Sequence, residues 1–245
     1  MVFKLLVIGH LLGTFYFQTG KPTKGSLRHC FIYFMALLAV TAGFISVDRW
    51  ALLLVALLLA SGLHKIIDFT KLKLKTRGYI IFLLDQLLHI GILYAIMRVF
   101  YLNMSDNCLI YRIFDQAAVE KNITPLLAGL ICWRPASVFV STVFQSIPDT
   151  IKNADRVENC EDINCPFRPG NGEEIKIGAW IGILEREIIL ILGLLNQFGA
   201  IGFALTAKSL ARYKQLENKA FAEKYLVGTL LSALTAILSV LLCRQ

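Results

Sequence analysis

Long apolar runs constrain this chain more than any other feature of its sequence. Several of them approach the roughly 20 residues that a helix needs to cross a bilayer. They lack the alternation of apolar and polar residues that is typical of strands. We therefore predict an all-α, polytopic transmembrane bundle with apolar segments at residues 5–17, 29–47, 50–69, 79–102, 123–147, 175–205 and 221–243.

No linker in the chain is long enough to separate two domains, so we expect one integral membrane domain over residues 1–245. Within it, residues 1–102 hold the helices that bear His and Asp, residues 103–174 hold an interrupted apolar region and a polar loop, and residues 175–245 hold the C-terminal helices. Only 17% of the residues are charged, against about 25% in typical soluble domains.

The net charge of +8 comes from basic residues that lie beside apolar segments. This placement favours contact with membrane lipids over nucleic-acid binding. Three loops carry most of these residues, and the positive-inside rule predicts that loops 18–28, 70–78 and 207–220 are cytoplasmic.

Trp133-Arg134-Pro135 interrupts the apolar region 123–147. Because proline stops a helix and arginine is costly at mid-bilayer, we expect a re-entrant or interfacial helical hairpin here rather than one span. This gives about six spans in the inner (plasma) membrane, with the N-terminus and the loop 148–174 outside. In that loop Cys160 and Cys165 either form a local disulfide or stay free thiols.

Ionisable residues inside the apolar segments are the clearest indication of function. A charge in hydrocarbon costs at least a few kcal/mol, so such groups normally face a partner, water or a ligand. His64 and Asp68 are four residues apart, as are Asp85 and His89, so each pair lies on one helical face. Imidazole and carboxylate ligands suit zinc, manganese or iron. With His10 of the first segment, these four residues form the predicted metal site, near the cytoplasmic half of the bilayer.

A second polar stripe lies in segment 175–205 and just beyond it. Arg186, Gln197 and Lys208 are spaced by three helical turns, which predicts one face of a single helix, with Glu185 beside it. Arginine offers a planar fork and lysine a point charge to a phosphate. If this face points inward, Arg186 has partners in Asp68, Asp85 or Glu187.

Two functions are open at this point. The first is a metal-dependent hydrolase of a phosphorylated lipid, with Asp68, Asp85 and Glu185 as catalytic carboxylates and with Arg186 and Lys208 on the phosphate. The second is a non-enzymatic membrane module, either a small-solute or ion carrier or a partner-binding protein. In that module the same pairs only gate the protein or lock helices together.

Several motifs resemble the domain of unknown function 3307 family, a family of bacterial integral membrane proteins. In the first half these are His10-Leu-Leu-Gly13-Thr-Phe15-Tyr-Phe-Gln18, His29, His64-x-x-Ile67-Asp68-x-x-Lys71 and Leu84-Asp85-Gln86-x-x-His89; in the second half they include Arg134-Pro135-Ala136, Gly182-Ile-Leu-Glu185-Arg186 and Ala207-Lys208-Ser209. The resemblance covers most of the chain except 103–120 and 150–174. It implies a polytopic inner-membrane protein and supplies no activity. Thr14 departs from the pattern, because the family has Asp at this position.

Overall fold

The computed structural model describes residues 1–17, 27–74, 78–103, 108–146 and 172–244. Within these ranges it contains nine α-helices and no strand, which confirms the all-α prediction. The helices are α1 (Val2–Leu11), α2 (Leu27–Thr41), α3 (Trp50–Leu74), α4 (Tyr79–Val99), α5 (Leu109–Ile113), α6 (Gln116–Ser146), α7 (Gly172–Leu194), α8 (Phe198–Ala211) and α9 (Lys219–Arg244). Gln18, Cys160 and Cys165 lie outside the described residues.

Five helices of the described part are long and apolar enough to cross a membrane. They extend over Leu27–Phe44, Val47–Lys71, Tyr79–Val99, Gln116–Ser146 and Phe221–Arg244. The helix at the first predicted segment, Val2–Tyr16, is apolar but shorter than these five helices. Its last part, Leu12–Tyr16, is π-helical. These lengths make the chain compatible with a multi-pass membrane protein.

The chain divides into two compact units, Met1–Ile131 and Cys132–Gln245. In the first unit α1 packs against α2 and α4, and α3 also packs against α2 and α4. The four helices therefore form a closed bundle. Its apolar core includes Leu6, Leu37, Leu57 and Leu93.

Glycines allow α1 and α2 to approach closely. A Cβ built on Gly9 would lie 3.0 Å from Leu37 Cα, and one on Gly13 would lie 3.2 Å from Tyr33 Cα. Both distances are tight for a carbon contact, so this crossing depends on the two missing side chains. The small residues at i and i+4 therefore fix how deeply α1 seats against α2.

The alternating direction of α2, α3 and α4 decides where their polar residues meet. The beginning of α2, the end of α3 and the beginning of α4 lie at the same end of the bundle, because consecutive packed helices run in opposite directions. His29, His64 with Asp68, and Asp85 with His89 occupy these three positions.

The predicted hairpin in region 123–147 is wrong. Helix α6 continues through Trp133-Arg134-Pro135 without a break. Pro135 cannot donate a backbone hydrogen bond, but the guanidinium of Arg186 donates to the carbonyl oxygens of Cys132 at 2.5 Å and of Trp133 at 3.3 Å. The carbonyl that loses its helical donor is that of Ile131, and Arg186 donates to the next two carbonyls of the same turn.

The prediction of one helix through 175–205 is also wrong. Helix α7 ends at Leu194, and α8 begins at Phe198 after a turn in which Asn196 adopts a left-handed φ of 59°. Asparagine tolerates this conformation better than most residues. Lys208 Nζ in α8 reaches back to Glu185 Oε2 in α7 at 2.6 Å, so the two helices form an antiparallel hairpin.

This hairpin removes the basis for placing residues before α7 and after α8 on opposite sides of the membrane. The beginning of α7 and the loop 207–220 lie at the same end of the second unit, since the chain turns back at Asn196. We therefore expect the two to share one side, and the sidedness of both stays a prediction.

Candidate metal centre

Three side chains from α2 and α3 converge in the first unit. His29 Nε2 lies 3.0 Å from His64 Nε2 and 3.2 Å from Asp68 Oδ2. His64 Nε2 lies 3.5 Å from the same carboxylate oxygen. All three residues are buried, so two nitrogen atoms and one oxygen atom form a triangle inside the bundle.

The size of this triangle fits a metal ion. Bonds of about 2.0–2.2 Å from a tetrahedral metal to nitrogen and oxygen separate the ligand atoms by about 3.3–3.6 Å. The three observed separations run from 3.0 to 3.5 Å. Two imidazoles and one carboxylate also form the donor set that suits zinc, iron or manganese.

A second group adjoins the first through Asp68. Donor atoms of Asp68, Asp85 and His89 lie within 4.8 Å of one another. Asp85 Oδ1 is 3.8 Å from His89 Nδ1, and Lys71 Nζ donates to Asp85 Oδ2 at 2.5 Å. The structure therefore brings together four of the five predicted metal ligands and adds a lysine beside them.

The fifth predicted ligand, His10, lies against the cluster but contacts other groups. Its Nδ1 is 3.1 Å from the Tyr33 hydroxyl, and its Nε2 is 3.3 Å from Gln86 Oε1. Both ring nitrogens are thus engaged in hydrogen bonds. Its ring centroid is 5.8 Å from that of His64 and 5.2 Å from that of His89, so His10 packs behind the two candidate ligands.

Stacking and hydrogen bonds hold the candidate ligands in place. The Tyr33 ring stacks on His64 at 3.9 Å between centroids with an angle of 3°, which fixes the plane of that imidazole. His89 Nδ1 donates to the backbone carbonyl of Asp85 at 2.7 Å. Contacts of this kind orient histidine ligands in metal sites.

Two ring nitrogens are buried without a hydrogen-bond partner in the described part of the chain, His64 Nδ1 and His89 Nε2. Since a carbonyl oxygen can only accept, the Nδ1 of His89 carries a proton, and in the neutral form of the ring Nε2 presents a lone pair. A buried polar atom without a partner is costly. A metal ion is the kind of ligand that this lone pair of His89 would satisfy.

The other predicted site residues belong to the second unit. Arg186 donates to the carbonyls of Cys132 and Trp133 and to the hydroxyls of Ser137 and Ser232. The expectation that Arg186 has a partner in Asp68, Asp85 or Glu187 stays a prediction. Glu185 pairs with Lys208, which also donates to Thr229 Oγ1 at 3.2 Å. Their roles in catalysis and phosphate binding stay predictions.

Sequence reasoning missed His29 as a ligand and Tyr33 as the residue that stacks on His64. His29 stands alone at the beginning of a segment, beside Arg28, and this position is equally typical of a lipid headgroup contact. The spacing of four residues between His29 and Tyr33 was the available signal, because it places both on one helical face. Thr14 has a buried hydroxyl without a hydrogen-bond partner among the described residues.

Residues 2–116 match the family described as protein of unknown function (DUF3307). Searches of curated proteins and of solved structures give no match. The matched range ends before Arg186, so the resemblance expected for the second half stays a prediction. The match covers every candidate metal ligand, and over residues 2–116 of its 245 residues the chain is similar to the DUF3307 family.

Proposed function

We propose that this protein is a metal-dependent hydrolase that acts on a phosphorylated lipid in the inner (plasma) membrane. The observation that supports it most is the triangle of His29 Nε2, His64 Nε2 and Asp68 Oδ2, with sides of 3.0–3.5 Å. Three protein ligands leave a fourth position open, as catalytic zinc sites do. A structural site would normally be closed by a fourth protein ligand.

A zinc, manganese or iron ion at this position would supply a Lewis acid for water and for a phosphoryl oxygen. The chain's own residues would handle the proton. Lys71 Nζ donates a hydrogen bond to Asp85 Oδ2 at 2.5 Å, so the two groups are close enough for a proton to pass directly between them. In this scheme Asp85 takes a proton from the attacking water and Lys71 gives one to the leaving oxygen.

The bonds balance in this reaction. The water oxygen forms a bond to phosphorus while the bond from phosphorus to the lipid oxygen breaks. The lipid leaves as an alcohol, and the phosphate leaves with the oxygen that water supplied. Proton transfer from Asp85 to Lys71 then restores both groups.

Three features support a lipid substrate. The site lies at the end of the first bundle where α1 leads to α2 and α3 leads to α4, and both connections are basic in sequence, with Lys21, Lys24, Lys73 and Lys75. Basic residues next to apolar helices attract anionic headgroups. The surrounding helices are long enough to lie in a bilayer, so a headgroup phosphate would arrive at the depth of the site.

Phosphate release tests this proposal. The full-length protein in detergent, loaded with Zn²⁺ or Mn²⁺, is incubated with phosphatidic acid or an isoprenyl phosphate, and inorganic phosphate is measured. We expect release that stops after chelation and falls at least about 100-fold in His64→Ala and Asp68→Asn, because each removes a first ligand. Asp48→Asn is the matched control, since Asp48 is exposed and precedes the beginning of α3, whereas Asp68 lies near the end of that helix.

Two outcomes would overturn the proposal. Release that is unaffected by chelation would exclude the metal from the reaction. Protein that takes up no metal under any loading condition would favour the non-enzymatic module, in which the His–Asp contacts only hold α2, α3 and α4 together.

A further inference from the structure

Asp68 belongs to both groups of candidate ligands in the first unit. One group is His29, His64 and Asp68, and the other is Asp68, Asp85 and His89. Two ligand sets that share a single carboxylate are the usual arrangement around a pair of metal ions, because a carboxylate has one oxygen for each. Such ions lie about 3.5–4 Å apart.

The second group has its own orienting contacts. Lys71 Nζ and Gln86 Nε2 donate to Asp85 Oδ2 at 2.5 and 3.2 Å. The opposite oxygen, Oδ1, is the one that faces His89, at 3.8 Å from its Nδ1. Outer contacts that hold one carboxylate oxygen and leave the other to the ion are typical of metal sites.

His89 provides a further observation that points to a ligand. Only 3% of its surface is exposed, and its Nδ1 donates to the Asp85 carbonyl. Its Nε2 is buried without a hydrogen-bond partner among the described residues. A neutral imidazole with Nδ1 held by a carbonyl and a free lone pair on Nε2 is prepared to bind a metal.

We infer that the centre is dinuclear. His29, His64 and one oxygen of Asp68 bind the first ion, and the other oxygen of Asp68 binds the second ion together with Asp85 Oδ1 and His89 Nε2. This inference rests on the proposed function and deepens it. Two ions about 3.5–4 Å apart contact both the attacking and the leaving oxygen of an in-line displacement, so the pair selects phosphate esters over carboxylic esters.

The net charge of the cluster agrees with that substrate class. Two carboxylates, Asp68 and Asp85, offset half of the charge of two divalent ions, and Lys71 adds one further positive charge. The centre therefore keeps an excess of positive charge, which a phosphate dianion would offset. Carboxylic esters carry no charge to match it.

The experiment is metal stoichiometry combined with Mn²⁺ electron paramagnetic resonance on the full-length protein in detergent. Chelator-stripped protein is loaded with Mn²⁺, and bound metal is measured per chain. We expect about two ions per chain and a spectrum showing exchange coupling between them. In Asp85→Asn we expect half the metal and the spectrum of an isolated ion. Asp48→Asn keeps the wild-type result.

Three other outcomes would contradict the dinuclear centre, and they can be told apart. One ion per chain, lost in His64→Ala and unchanged in Asp85→Asn, overturns the dinuclear centre and leaves the proposed function standing. Two ions with uncoupled spectra overturn the bridge at Asp68. No bound metal overturns both proposals. If Asp85→Asn does not fold, His89→Gln replaces it with the same expected loss.

Discussion

Replacing Arg186 with lysine should destabilise the protein by about 2 kcal/mol. The guanidinium donates four hydrogen bonds, to Cys132 O, Trp133 O, Ser137 Oγ and Ser232 Oγ. Hydrogen bonds between membrane helices contribute about 0.6 kcal/mol each on average. A lysine ammonium keeps the charge but not the planar fork, so we expect it to retain one of the four bonds and to lose three.

Pro135 should be energetically coupled to Arg186. Proline cannot donate to the carbonyl four residues earlier and disturbs the carbonyls of the preceding turn. Arg186 donates to two carbonyls in that turn, those of Cys132 and Trp133. In a Pro135→Ala background a normal helical bond returns, so Arg186→Lys should cost less there, by about 0.5–1 kcal/mol.

The assay is a double-mutant cycle of wild type, Arg186→Lys, Pro135→Ala and the double variant. Each protein is unfolded reversibly in mixed micelles with increasing dodecyl sulfate, and unfolding is followed by tryptophan fluorescence. Arg112→Lys is the matched control, because Arg112 is exposed on α5, and it should change the free energy of unfolding by less than about 0.5 kcal/mol. Arg186→Lys with no greater effect than the control would refute the bonding. Additive free energies across the cycle would refute the role of Arg186 beside the proline.

Three further predictions concern the packing of α1, the sidedness of the second unit and the ion pair between Glu185 and Lys208. Gly9→Ala should destabilise the first unit by about 1–3 kcal/mol through overpacking against Leu37, whereas Gly91→Ala, with nothing within 4 Å of the added Cβ, should not; equal unfolding midpoints would contradict the close crossing. Reporter fusions at Gly172, where α7 begins, and at Gln215 should report the same side of the membrane, and opposite sides would contradict the α7–α8 hairpin. Glu185→Gln or Lys208→Met alone should cost on the order of 1 kcal/mol or more, since each leaves a part-buried charge without its partner at 2.6 Å. The double replacement should cost less than the sum of the two, and strict additivity would show that the pair does not interact.

The cluster in the first unit could be predicted in part from local spacing. His64 with Asp68 and Asp85 with His89 are i, i+4 pairs, so a helix alone places each pair on one face. Their convergence follows from the opposite directions of consecutive membrane helices. His29 could not be assigned in this way, because its contact with His64 depends on how far α2 slides along α3.

The two errors in the helix boundaries have tertiary causes. Pro135 lies within α6, in a turn where Arg186, about fifty residues later in the chain, donates to the carbonyls of Cys132 and Trp133. The break at Asn196 separates two apolar helices with little polar sequence between them. The helix propensity of the local sequence predicts neither effect, since both depend on packing between α6, α7, α8 and α9.

The spacing of glycines likewise predicts the close contacts between helices only in part. The pair Gly178 and Gly182 has the spacing of a helix-packing motif, yet a Cβ on Gly178 would meet nothing within 4 Å. Close contacts occur instead at other glycines, among them Gly9 and Gly193, where a Cβ would lie 2.6 Å from Val240 Cγ2. Spacing shows which helices can approach closely, while the packing partner determines which do.

Elemental analysis of the purified wild-type protein, with His64→Ala beside it, tests the central claim most directly. If His29, His64 and Asp68 form a metal centre, the wild type carries zinc, manganese or iron in a whole-number ratio to the chain, and His64→Ala loses that metal while it elutes as a folded protein. Wild-type protein without metal after loading with each of these ions, or the same metal content in His64→Ala, would contradict the account.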